Sequence, residues 1–212
     1  MSGTDYRSDA IASIRTEHRT LAALLHAMRH LVNEIRCGRA EPDFPLFRAM
    51  VYYIDAFPER MHHPKEEACL FAPLAARTHA ADADLKILRE EHENGARLIR
   101  DLGHALLCYE HEPETGFAVF AAIVESYSDF YLQHMEREEK SVFPAALTAL
   151  LPEDWVTLQR AFAENHDPLR GDAREAHFRR LFTHIVNITP PPMGVGPPAV
   201  LKGERGERGK AA

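Results

Sequence analysis

Apolar residues recur in steps of three and four along four consecutive stretches of the chain, the period of a helix that buries one face. The first stretch begins near Asp9 and carries Ile11, Ile14, Leu21, Leu25, Met28, Val32 and Ile35 before Gly38 ends it. One place in that series is polar, and His18 holds it. Beyond a loop containing Pro42 and Pro45, a second helix is expected from about Phe44 to Ala75. It presents Phe47, Met50, Val51, Ile54, Phe57 and Met61 on one side. Pro58 and Pro64 fall inside it and predict a kink or a local break. The third helix, about Asp82 to Glu110, puts Leu85, Leu88, Ile99, Leu102, Leu106 and Tyr109 on its stripe, with His92 where the first helix has His18. The fourth, after Pro113 and Gly116, carries Phe117, Phe120, Val124, Tyr127 and Tyr131 and then reaches His134 and Glu138. Pro144 predicts a bend near its end. Short connections make neighbouring helices antiparallel, so these four stripes predict an all-α bundle.

The pattern changes at Pro152. That residue opens a further helix with Glu153 and Asp154 in its first turn and Trp155, Leu158 and Phe162 on its apolar side. Another short helix is expected from about Arg174, with Phe178, Leu181, Phe182 and Ile185. Residues 189–212, rich in Pro, Gly, Glu and Arg, cannot build a core and are predicted to be disordered. The expected organisation is a bundle over residues 9–150, a helical extension over 151–188 and a tail over 189–212.

The second and fourth helices share more than period. His62-His63-Pro64-Lys65-Glu66-Glu67 returns as His134-Met135-Glu136-Arg137-Glu138-Glu139. Laying Phe71 over Phe143 superposes His62 on His134, Glu66 on Glu138 and Glu67 on Glu139. The first and third helices match as well, Ile14-Arg15-Thr16-Glu17-His18 against Leu88-Arg89-Glu90-Glu91-His92. The chain reads as two duplicated helical hairpins. Each supplies a His from its first helix and a His-x-x-x-Glu pair from its second, whose side chains differ in direction by only about 40° on a helix. Four imidazoles and two carboxylates thus fall on inward stripes. Carboxylates inside a bundle are costly unless paired or bound to a cation, and Glu66 and Glu138 have no Lys or Arg on their own stripes. This donor set suits Fe, Mn or Zn. Two carboxylates able to bridge favour a pair of ions over one.

Three neighbours of this set call for separate readings. His63 lies about 100° around the helix from His62, and Met135 occupies its place in the second repeat. Gly95, one step after His92 on the stripe, implies either close helix packing or space for a small ligand. Asp55 is placed to hydrogen-bond a histidine, whereas Glu67 and Glu139 are expected to face solvent, and His26 and His30 lie on the surface or just outside the set.

Composition narrows the function classes. The net charge is −7 and the pI about 6.0, with no basic stripe interleaved with aromatics, so nucleic acid is not an expected partner. No apolar run approaches the ~20 residues that span a membrane, and no signal-peptide core follows the N-terminus. The three scattered cysteines, Cys37, Cys69 and Cys108, have no metal-type spacing and fit a reducing cytoplasm.

His18, His62-x-x-x-Glu66, His92 and His134-x-x-x-Glu138 together resemble the motif order of hemerythrin-like (HHE cation-binding) domains, over roughly residues 10–150. The resemblance implies an up-down four-helix bundle holding a non-haem centre of two Fe ions, with His18, His62, His92 and His134 as terminal ligands and Glu66 and Glu138 bridging. In the oxygen-carrying members a second His follows four residues after the one matched by His92, and Ala96 stands there instead. In some members the place of His63 supplies an extra ligand. The implied function is binding of O2, NO or peroxide at an open iron, in sensing or in protection. Peroxide disproportionation, iron oxidation or iron–sulfur repair, and a metal-stapled interaction module, are the alternatives.

Overall fold

The computed structural model of the protein describes residues 5–164 together with Asn187; the helix expected from about Arg174 and the tail over 189–212 lie outside the described residues. Helix α1 runs Tyr6–Arg36, α2 Phe44–Ile54, α3 His63–Glu66, α4 Ala72–Arg77, α5 Asp82–His111, α6 Pro113–Arg137, α7 Phe143–Ala149 and α8 Pro152–Ala163. No strand occurs among the described residues. Side chains close the starts of α1 and α2: Asp5 accepts from the Ser8 amide and Asp43 from the Leu46 amide. At the end of α1, Gly38 takes φ +68°, the left-handed conformation that lets the chain turn out of the helix, and its amide donates to the Ile35 carbonyl.

α2, α3 and α4 form one bent arm, joined by two wide π turns at Asp55–His62 and Glu67–Phe71. α6 and α7 form another, joined through the π turn Glu138–Val142. The cause is local. In each case a proline follows: Pro64, Pro73 and Pro144 have no amide hydrogen, and their rings press on the carbonyl four residues back. The residue just before each proline bonds five residues back instead, His63 to Pro58, Ala72 to Glu67 and Phe143 to Glu138. The kinks predicted at Pro64 and Pro144 are therefore widened turns, and the helical path continues through them. Gly116, expected ahead of the fourth helix, lies inside α6 because Pro113 already serves as its first residue. A side chain there would meet the Tyr109 Cα at 2.5 Å, so the glycine lets α5 and α6 close on one another.

Four arms (α1, α2–α4, α5, α6–α7) pack as an up-down four-helix bundle. Cross-links run in antiparallel register: Arg36 to Glu125 and Arg29 to Asp129 between α1 and α6, and Arg48 to Glu110 between α2 and α5. The core has two parts. One contains Leu21, Leu25, Met28, Phe47, Tyr53, Phe57, Ile99, Leu102, Phe120, Val124 and Tyr131. The other contains Ile14, Leu70, Phe71, Leu85, Leu88, Val142 and Phe143. On every arm the boundary between them falls at a polar residue: His18, His62 to Glu66, His92, and His134 to Glu138. The α8 residues Trp155, Leu158 and Phe162 are buried in the second cluster, and Arg77 grips Asp154 through two hydrogen bonds of 2.5 and 2.9 Å. No described helix is long and apolar enough to cross a membrane.

Because Trp155 is 2 % exposed, α8 belongs to the core energetically. Trp155→Ala is expected to destabilise the protein by about 3–5 kcal/mol, measured by urea unfolding; a loss under about 1 kcal/mol would show that α8 merely rests on the bundle.

Candidate metal centre

The polar layer between the two apolar clusters is built from one histidine on each of four arms and the two carboxylates of Glu66 and Glu138. His18 projects from α1, His62 from the end of the first π turn, His92 from α5 and His134 from α6. Glu66 and Glu138 are 0 % exposed. Each turns its two oxygens in different directions. Glu66 Oε1 lies 3.2 Å from His62 Nε2 and 3.7 Å from His18 Nε2, while its Oε2 lies 3.8 Å from His92 Nε2. Glu138 Oε2 is 3.2 Å from His18 Nε2 and its Oε1 is 3.4 Å from His134 Nε2. All four of these carboxylate oxygens, and His18 Nε2, are buried with no hydrogen-bond partner among the described residues. Leaving such atoms unsatisfied is expensive.

The outer nitrogens are held just as systematically. His62 Nδ1 pairs with Glu17 at 2.7 Å, His134 Nδ1 with Glu91 at 2.9 Å, His92 Nδ1 with Glu67 at 2.9 Å and His18 Nδ1 with Glu139 at 3.1 Å. A carboxylate on Nδ1 fixes the ring and leaves Nε2 to face inward, the arrangement that metal-binding histidines favour. The duplication is visible here. Glu17 and Glu91 each precede the histidine of their own helix and serve the other histidine of their hairpin. Glu67 and Glu139 each follow an inner glutamate and serve the opposite hairpin. The expectation that Glu67 and Glu139 face solvent is thus corrected: only about a third of each side chain is exposed, and its carboxylate reaches across to a neighbouring helix.

His63 also joins the layer. Its ring is buried, stacks on His92 at 4.3 Å between centroids and lies 5.4 Å from His134. Two donor groups result, His18, His62 and Glu66 on one side and His63, Glu66, His92 and His134 on the other, with the donor atoms of each group within 4.8 Å of one another. All six residues singled out by the duplication meet in this layer. Ala96 is exposed and supplies nothing. Asp55 pairs with Arg60 at 2.6 Å, not with a histidine. His26 is exposed and His30 half-buried, two to three helical turns along α1 from His18. Of the two readings of Gly95, close packing holds: a side chain there would meet Glu59 Oε2 at 2.6 Å and the Tyr131 hydroxyl.

Charge is balanced through the imidazoles. Burial pushes the pKa of His62 down, but Glu66 and Glu17 prevail and raise it to about 9. Burial likewise opposes Glu138 and Glu91 at His134, which ends near 10. Burial and the neighbouring Glu138 would raise Glu66, yet His62 and His18 bring it to about 2. His63 has no such support: burial, then the imidazoles of His92, His62 and His134, hold it well below the ordinary histidine range. A neutral imidazole among carboxylates and charged rings is a metal-type donor. The residues fit bound cations on three counts: nitrogen and oxygen donors only, orphaned oxygens aimed at one interior region, and outer nitrogens fixed from behind.

The sequence model of the hemerythrin HHE cation binding domain matches residues 9–146. No match was found among the curated proteins or the solved structures.

In the metal-free protein this layer makes stability depend on pH in both directions. His62 and His134 have raised values, so their contribution is complete below about pH 6.5 and is lost as pH rises through about 9 to 10. Glu66 has a depressed value, so its contribution is present above about pH 4.5 and lost as pH falls through about 2. Metal-free protein is expected to melt highest between roughly pH 4.5 and 6.5. Metal-loaded protein, whose ions replace the imidazole protons, is expected to lose the alkaline decline; melting curves of both forms across pH measure this.

Proposed function

The chain belongs to the hemerythrin HHE cation-binding family, and on that premise we propose that it holds two iron ions, bridged by Glu66 and Glu138, and binds a small ligand such as O2, NO or peroxide at one of them, in sensing or in protection from oxidative or nitrosative stress. One observation carries this reading: two fully buried carboxylates each direct one oxygen toward the His18/His62 pair and the other toward the His92/His134 pair, with no hydrogen bond from the described residues to any of the four. Such a pair of bridges suits two cations a few ångström apart. In this reading His18 and His62 hold one ion, and His92, His134 and His63 the other. When bound, iron supplies Lewis acidity and electrons.

The inequality of the two halves supports ligand binding on the His18 side. His63, from the first hairpin, gives the far half a third imidazole. Its counterpart in the second hairpin is Met135, which faces the near half and offers no comparable donor. Met135 lines a groove of about 430 Å³ between α1 and α6 that also reaches His18, Ala22, Leu132 and Lys140. The groove gives a small molecule a way to the less crowded half. Arg15 stands at it paired with Glu139 at 3.2 Å, the same carboxylate that fixes His18.

Protein made in iron-replete cells is expected to contain two iron ions per chain and to develop a visible charge-transfer band on adding azide or O2. Glu66→Ala is expected to abolish both. Ala22→Trp, which narrows the groove, is expected to slow azide binding in stopped-flow mixing while iron content stays at the wild-type level. One zinc per chain and no spectral response to azide, O2, NO or peroxide would replace this reading with that of a structural ion stapling the helices.

A further inference from the structure

Glu59 takes no part in the duplicated ligand pattern, yet it is among the most confined acidic side chains in the protein. It sits on the first π turn, one residue after Pro58, with its side chain 5 % exposed. The Tyr131 hydroxyl donates to its Oε1, and the Tyr127 hydroxyl approaches the same oxygen at 3.5 Å. Its other oxygen, Oε2, lies 3.7 Å from His63 Nδ1, an atom that is buried and has no hydrogen-bond partner among the described residues. The Tyr131 ring runs parallel to His63, 4° between planes and 5.7 Å between centroids, so the imidazole lies between Tyr131 and His92. Room for the carboxylate comes from α5, where Gly95 has no side chain to meet Glu59 or Tyr131.

We propose that Glu59 is the positioning residue for His63: held by Tyr131 and Tyr127 in the space that Gly95 leaves, it fixes His63 as a donor to the His92/His134 half of the centre. The four histidines of the duplicated pattern each have a glutamate at Nδ1, and Glu59 is the fifth such glutamate. It serves the one histidine that the duplication does not produce. His63 in turn takes the role left empty by Ala96, from a different helix. The 3.7 Å separation closes to a hydrogen bond by a small rotation of either side chain. The proposal rests on the reading that the layer holds two metal ions.

Co(II) loading of the otherwise metal-free protein tests it, because cobalt's visible absorption reports coordination number without any turnover. His63→Ala and Glu59→Ala are expected to give the same altered cobalt spectrum and to weaken one of the two ions by about 10–100-fold, leaving the other unchanged. Gly95→Ala, whose methyl displaces the carboxylate, is expected to match them. Glu59→Gln, which keeps an oxygen acceptor in place, is expected to restore the wild-type spectrum. Helical circular dichroism of each metal-free variant confirms folding. A wild-type spectrum and affinity in Glu59→Ala, or equal weakening of both ions, would overturn the proposal. Absence of cobalt binding by the wild-type protein would instead overturn the two-ion reading beneath it.

Discussion

Two negative charges placed at the centre of a helical bundle govern everything around them. Glu66 and Glu138 are wholly removed from water, and their oxygens accept no hydrogen bond from the described residues. A buried carboxylate without compensation costs several kcal/mol, so a fold that keeps two must supply positive charge at that point. The outer carboxylates of the layer show how selectively this is done. Glu139 is neutralised by Arg15, Glu67 by Arg89 and Glu91 by Arg137. Among the described residues no arginine or lysine reaches the inner pair. Five imidazoles surround it instead, most of them with their outer nitrogens committed to those same outer glutamates. Protonated imidazoles balance the charge in the metal-free state, and cations that take over the inner nitrogens balance it better. The separation of roles, arginine outside and imidazole inside, is what makes the layer a place for metal rather than an ordinary ion-pair network.

The backbone is adapted to the same layer. Each of the two arms carrying a His-x-x-x-Glu pair is widened next to it by a π turn, and each π turn ends two residues before a proline. The proline does not break the helix, because the preceding amide finds a carbonyl five residues back. The extra residue in the turn changes which side chains face inward beyond it. His62 and His63, adjacent in sequence, are both buried within the layer as a result. Apolar clusters close it on both sides: Phe143 stacks on His18 and Phe71 on His92 from one, and Tyr131 stacks on His63 from the other. Dry walls on two sides keep the effective dielectric low and the carboxylate–imidazole interactions strong.

Much of this was legible in the residues. A histidine that fills a place in an otherwise apolar stripe, as His18 and His92 do, announces a buried polar site. The repeat of His62-x-x-x-Glu66 as His134-x-x-x-Glu138 told which side chains would meet it. What the stripes hid has identifiable physical causes. Glu67 and Glu139 lie on the solvent side of their own helix, and only the packing of the neighbouring arm lets their carboxylates reach His92 and His18. Glu17 and Glu91 are off-stripe for the same reason, although their matching positions beside His18 and His92 were already a signal. Glu59 follows Pro58 within a π turn, where the three/four spacing no longer predicts direction. Gly95 leaves close packing and ligand space both open in the sequence, because a missing side chain looks alike whether a ligand or a neighbour fills it.

The duplication also explains why the two halves differ. In the repeat, Glu59 corresponds to Tyr131 and His63 to Met135. Glu59 and Tyr131 therefore occupy equivalent places in the two hairpins and meet each other in the structure. Had both been acids they would repel in a dry interior; had both been phenols, neither would offer His63 a carboxylate. Replacing one member of each pair turns a symmetric frame into an unequal one: three imidazoles and a fixed carboxylate on one side, and two imidazoles, a thioether and a solvent groove on the other. Gly95 marks the same asymmetry, since its counterpart on the stripe of α1 is Leu21, which is buried in the first apolar cluster. A scaffold with identical halves would hold two ions alike. On the two-ion reading proposed above, the unequal halves would hold the first ion firmly and leave the second accessible, which a protein must do if it is to keep its metal and still bind something to it.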